Sequence, residues 1–127
     1  MTANAPDFFL GSSEHRGEWS LPRACWIQAR INDDNGGEYL LVRINPPVIG
    51  QTYGLGEHDI ADLIIAPHCS GATLFPLSRF PLPVYVYRIL DRAIADDFSF
   101  NPSRVEMVAW CEIYRKEEDA KAHANLI

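Results

Sequence analysis

The chain reads as an α+β domain, a mainly antiparallel sheet of four to six strands with one or two short helices. Three observations predict this. Apolar and polar residues alternate with period two along 25–32, 38–44 and 105–114, as half-buried strands do. Sustained apolar periods of 3.6 residues are scarce, which leaves helices little of the chain. No connection between the strand-like runs is long and periodic enough to supply the several helices of a doubly wound α/β fold.

Residues 1–23 are polar and interrupted by Pro6, Gly11, Ser12, Ser13, Gly17 and Pro22, and they read as a flexible N-terminal arm, with Trp19 and Leu21 as its docking points. Residues 24–115 read as a single strand-rich domain. Its clearest local signal is a hairpin. Cys25, Ile27, Ala29 and Ile31 alternate with Trp26, Gln28, Arg30 and Asn32, and Leu40, Val42 and Ile44 alternate with Tyr39, Leu41 and Arg43. Asp33-Asp34-Asn35-Gly36-Gly37 between them supplies turn formers. If both apolar sets share one face, Ile31 pairs with Leu40, Ala29 with Val42 and Ile27 with Ile44. Pro46-Pro47 then ends the second strand, because proline donates no ladder hydrogen bond.

Residues 48–56 form a glycine-punctuated loop, and a short turn of helix is expected over 57–62. It runs into a buried strand through Leu63-Ile64-Ile65-Ala66, closed by Pro67. Pro67, Pro76, Pro81, Pro83 and Gly71 leave room in 67–83 only for a short extended piece at 72–75. Residues 84–90 are rich in Val, Tyr and Ile and form a strand. A loop or short helix around 92–95 leads to Asn101-Pro102. In 105–114, Val105, Met107, Ala109, Cys111 and Ile113 fall on one side. Residues 116–127, rich in Ala, Glu and Lys, form a short helical or frayed tail.

Composition bounds the function. A chain of 127 residues with net charge −6 is one ordinary domain that folds without staples. No Lys/Arg cluster is available to neutralise several phosphates, which argues against nucleic acid, while the acidic balance favours a basic partner. No apolar run approaches the roughly 18–20 residues of a membrane helix, and the N-terminus lacks a signal-peptide pattern. Cys25, Cys69 and Cys111 are odd in number and contain no CxxC pair; a reducing, cytoplasmic location is expected.

Motifs that carry chemistry are sparse. Gly54-Leu55-Gly56 lacks the rest of a phosphate loop and reads as a turn. His58-Asp59 and His68-Cys69 are the densest group of metal-capable side chains, but their spacing matches no zinc pattern. Asp91, Asp96 and Asp97 lie in a polar loop where solvated carboxylates belong. The most informative feature is the second face of the sheet, which carries Trp26, Arg30, Tyr39, Leu41, Arg43, Trp110 and Tyr114 with Glu106 and Glu112. Trp, Tyr and Arg dominate binding energy at protein interfaces.

The sequence therefore predicts a small, acidic, non-catalytic protein-binding module, of inhibitor or immunity type or a homo-oligomer. It engages another protein or itself through Trp26, Arg30, Tyr39, Arg43, Trp110 and Tyr114, with no cofactor, metal, nucleic acid or membrane. The alternative is a small-molecule-binding protein or hydrolase-like enzyme. Its site would lie in the Gly/His loops 50–71, around Tyr53, His58, Asp59, His68 and Cys69.

Overall fold

The computed structural model describes residues 5–11, 21–32, 38–49, 59–67, 82–91 and 102–124. Among these residues six strands run in chain order: β1 (Phe8–Gly11), β2 (Arg23–Asn32), β3 (Glu38–Val48), β4 (Ile60–Pro67), β5 (Leu82–Ile89) and β6 (Val105–Tyr114). A 3₁₀ turn at Pro102–Arg104 leads into β6, and a helix α1 (Glu117–Ala124) follows it.

Each strand pairs antiparallel with its chain neighbours, and β1 pairs with both β2 and β6, so the sheet closes into a barrel. This corrects the expected fold class. The described residues are nearly all-β, a closed six-stranded antiparallel barrel with one short α-helix among them, not an α+β sheet. Two elements account for the difference. Phe8–Gly11, read above as part of the arm, is the strand that closes the barrel: Phe9 lies opposite Ala24 on one side and Tyr114 on the other. The turn of helix expected over 57–62 is displaced by β4, which is already extended at Ile60; 57 and 58 lie outside the described residues.

The β2–β3 register is also corrected. Cys25 pairs with Ile44 and Ile27 with Val42, but Ala29 then pairs with Leu41 and Ile31 with Tyr39. Gln28 is an extra residue, a β-bulge that reverses which side chains face inward. Cys25 and Ile27 point into the barrel, whereas Ala29 and Ile31 join a cluster outside it. A second bulge falls at Val108: Val86 pairs with Ala109, but Tyr87 pairs with Met107. Ala109, Cys111 and Ile113 therefore face inward, while Val105 packs in the outer cluster and Met107 is exposed.

β3 continues through Pro46 and Pro47 to Val48, past its expected end. Pairing with β2 stops at Asn45, and pairing with β4 is interrupted between Arg43 and Val48, so neither proline has to donate a ladder bond. The carbonyl of Pro46 accepts a hydrogen bond from Arg23 Nε at 3.0 Å, and that of Leu21 accepts one from Nη1 at 3.3 Å. Arg23 is buried, and these carbonyls satisfy part of its hydrogen-bonding demand.

Every strand contributes to the interior: Phe8 and Leu10, Cys25, Leu40 and Val42, Leu63 and Ile65, Val84 and Val86, Cys111 and Ile113 all belong to one buried cluster. Barrel diameter grows with strand number and eight strands are only just filled by side chains; six strands therefore enclose a core. Burial pushes the Cys111 thiol up to about 12 and the Cys25 thiol higher still, so both remain neutral and behave as small hydrophobes.

Candidate functional site

With the interior occupied by the core, the outer surface is where this fold can act. The registers lay its residues out in rows. In one row Ile31 pairs with Tyr39, the Leu40–Ile65 pair puts Tyr39 beside Ala66, Ala66 pairs with Tyr85, and Tyr85 pairs with Trp110. In the next, Ala29 pairs with Leu41, Leu41 with Ile64, Ile64 with Tyr87 and Tyr87 with Met107. Two adjacent rows of apolar and aromatic side chains thus cross the outside of the barrel from β2 to β6.

Exposure is uneven along these rows. Ile31, Leu41, Ile64 and Ala66 are buried, Tyr85 and Tyr87 are half-buried, and Trp110 and Met107 are 43% and 57% exposed. The apolar face is covered at its β2–β4 side and opens to water at β6. Burial, with the neighbouring Tyr85 adding to it, raises the Tyr87 hydroxyl above its ordinary value.

The residues expected to form one binding face are distributed differently. Trp26 is half-buried and pairs with Arg43, which pairs with Asp62. Arg43 Nε makes an ion pair with Asp62 at 3.2 Å. On β4, Asp62 and Ala66 are four residues apart, about 13 Å along the strand, so the Trp26 row and the Trp110 row are separate. Beyond its bulge, Arg30 lies opposite the inward-facing Leu40 and pairs with Glu38 at 2.7 Å at the rim of the barrel. Tyr39 packs on the outer cluster, and Glu106 pairs with Arg88 at 3.0 Å.

Tyr114 is buried where α1 meets the barrel. A Cβ at Gly11 would stand 3.6 Å from both Ala120 Cβ and Tyr114 Cε2, so helix, strand and tyrosine meet at one point. Burial first, then the nearby Glu112 and Cys111, push the Tyr114 hydroxyl up to about 12. Of the residues expected on the face, only Trp110 belongs to the open part of the apolar rows. Met107, Tyr85 and Tyr87 join it. The two tyrosines were visible in the Val84-Tyr85-Val86-Tyr87 alternation; Met107 was hidden by the bulge that moves it off the core side.

Of the alternative pocket, Tyr53, His58, His68 and Cys69 lie outside the described residues, and Asp59 is exposed just ahead of β4. Asp91 is exposed and 3.8 Å from Arg104 Nε; Asp96 and Asp97 also lie outside the described residues. Among the described residues no group of three or more His, Cys, Asp or Glu is placed to hold a metal ion. Likewise, no helix among them is long and apolar enough to cross a membrane. Comparison of the chain with protein-family models, curated proteins and solved structures gives no match in any of the three.

Proposed function

We propose that the protein is a small binding module that docks another protein on the outer face of β5 and β6, with Trp110 and Met107 at the centre of the contact and Tyr85 and Tyr87 beside them. The observation that carries this reading is the exposed end of the two apolar rows: 43% of Trp110 and 57% of Met107 face water beside a cluster that is otherwise buried. Trp, Tyr and Met are enriched in the buried centres of protein interfaces. A local cluster of exposed apolar side chains beside a buried one is a natural contact site.

Charge favours a basic partner. At net charge −6 two copies of the chain repel one another, whereas a positively charged protein is drawn in and its association accelerated. Rim charges add orientation. Glu112 follows Trp110 on the same face of β6 and lies opposite Pro83.

Site-directed photocrosslinking in the native cell tests the reading. A photoreactive residue at position 107 is expected to capture one discrete basic protein, and the same residue at the exposed Lys121 is not. Capture of the same species from both positions would remove the assigned face; capture of a second copy would replace the basic partner by self-association.

A further inference from the structure

Among the described residues, oxidation chemistry falls on one side chain. Cys25 and Cys111 are fully buried, and that burial holds their thiols neutral; a neutral, enclosed thiol is a poor target for peroxide. The thioether of methionine needs no ionisation, only access. Met107 has that access, being 57% exposed, more than any other large apolar side chain described.

This exposure is a product of the fold. Alternation along β6 would set Met107 on the side of Ala109, Cys111 and Ile113, and the bulge at Val108 turns it outward. Met107 then stands opposite Tyr87, and Trp110 opposite Tyr85. The two tyrosines are two residues apart on β5, so Met107 and Trp110 lie about 7 Å apart along β6. A polar change at Met107 therefore falls inside the exposed end of the apolar rows. We propose that Met107 is a sulfoxidation site, and that its oxidation by a hydroperoxide withdraws the apolar character of the β6 face. The sulfur lone pair attacks the terminal peroxide oxygen; the O–O bond breaks, an S–O bond forms, and the other oxygen leaves with the transferred proton as water, or as an alcohol from an organic hydroperoxide. Sulfur gives up an electron pair that the peroxide takes. A flexible apolar side chain becomes a polar, chiral sulfoxide, which sulfoxide reductases return to the thioether. The site stands on exposure and register alone; the release of a docked protein by oxidation rests on the function proposed above.

The experiment reads the site without any partner, so that its failure and the failure of the docking reading are distinguishable. The full chain is treated with dilute hydrogen peroxide, and sulfoxide at position 107 is located by peptide fragmentation, apart from that at Met1, the chain's other methionine. Retention on a phenyl resin reports the apolar face, and urea unfolding reports the fold. In the native chain Met107 is expected to oxidise within about threefold of its rate in urea, as an open thioether does, with Cys25 and Cys111 unmodified. The oxidised chain is expected to leave the phenyl resin earlier at an unchanged urea midpoint, and reductase treatment to restore its retention. Met107→Leu keeps an apolar side chain without sulfur and is expected to hold its retention through peroxide treatment. Oxidation of Met107 at least about tenfold slower than in urea would overturn the site, as would an oxidised chain of unchanged retention or an equal loss of retention in Met107→Leu. Binding of the protein crosslinked at position 107 is expected to weaken by about tenfold or more on oxidation. Unchanged binding beside lowered retention would overturn the docking reading and leave the sulfoxidation site standing.

Discussion

Ile64 and Ile65 are sequence neighbours on β4, both fully buried, one packed outside the barrel and the other inside it. In a barrel whose outer face meets water, truncating the outward residue would cost almost nothing. Here it is expected to cost as much as truncating the inward one. Ile→Ala removes three carbons, about 2.4 kcal/mol at about 0.8 kcal/mol per buried methylene, and the unfilled space raises the loss to about 3–4 kcal/mol. Urea unfolding of Ile64→Ala and Ile65→Ala measures both. With a slope of about 1–3 kcal/mol per molar, each midpoint is expected to fall by about 1 M or more at unchanged slope. A loss below about 0.5 kcal/mol for Ile64→Ala, the range of ordinary surface substitutions, would refute burial of the outer rows and with it the continuity that makes Trp110 and Met107 the end of a larger apolar face.

Two other perturbations follow from the geometry. Asp7 Oδ2 accepts the amide of Ile27 at 2.8 Å just before β1 begins; Asp7→Ala is expected to cost about 0.5–1.5 kcal/mol and to speed exchange of that amide specifically, whereas an unchanged Ile27 exchange rate would contradict the cap. The Cys25 and Cys111 thiols and the Tyr114 hydroxyl all have folded values above their ordinary ones of 9.0, 9.0 and 10.0, burial being the main cause. Below pH 9 all three are protonated in both states. Above it the unfolded chain loses protons that the folded chain keeps, so stability is expected to decline steadily from about pH 9 toward 12. Native protein at neutral pH is correspondingly expected to resist alkylation at Cys25 and Cys111, as peptide mass spectrometry reports; labelling as fast as in urea would show that the thiols are not in the core.

The parts of the fold legible in the sequence are those where alternation is local and one-sided. The run 105–114 is β6 in extent, with Ala109, Cys111 and Ile113 inward as read but Val105 and Met107 turned out by the bulge, and the alternation from Cys25 to Ile27 and from Val42 to Ile44 marks strands whose inward set is apolar. The hairpin register was not legible, because apolar residues occur on both faces of β2. Ala29 and Ile31 look like a continuation of Cys25 and Ile27 until the bulge at Gln28 turns them outward. The unbroken apolar run Leu63-Ile64-Ile65-Ala66 carried the true signal, a strand buried on both sides. Closure was out of reach for another reason. Phe8–Gly11 is four residues long in a segment broken by proline, glycine and serine, and its strand character comes from partners far along the chain, Tyr114 and Ile113. The candidate site inherits these limits. Trp110 was identifiable by type, whereas the grouping of Trp26, Arg30 and Tyr114 with it assumed an open, one-faced sheet that a closed barrel with two bulges does not have.

The most direct test of the docking surface is the dissociation constant of the crosslinked partner for the native chain and for the Trp110→Ala/Met107→Ala variant, with urea unfolding as the control for the fold. Both side chains are about half exposed, so the fold is expected to survive, while loss of a central Trp contact of about 2 kcal/mol or more weakens binding by at least about 30-fold. An affinity unchanged within about twofold in the folded variant would contradict the account and move the contact surface away from β6.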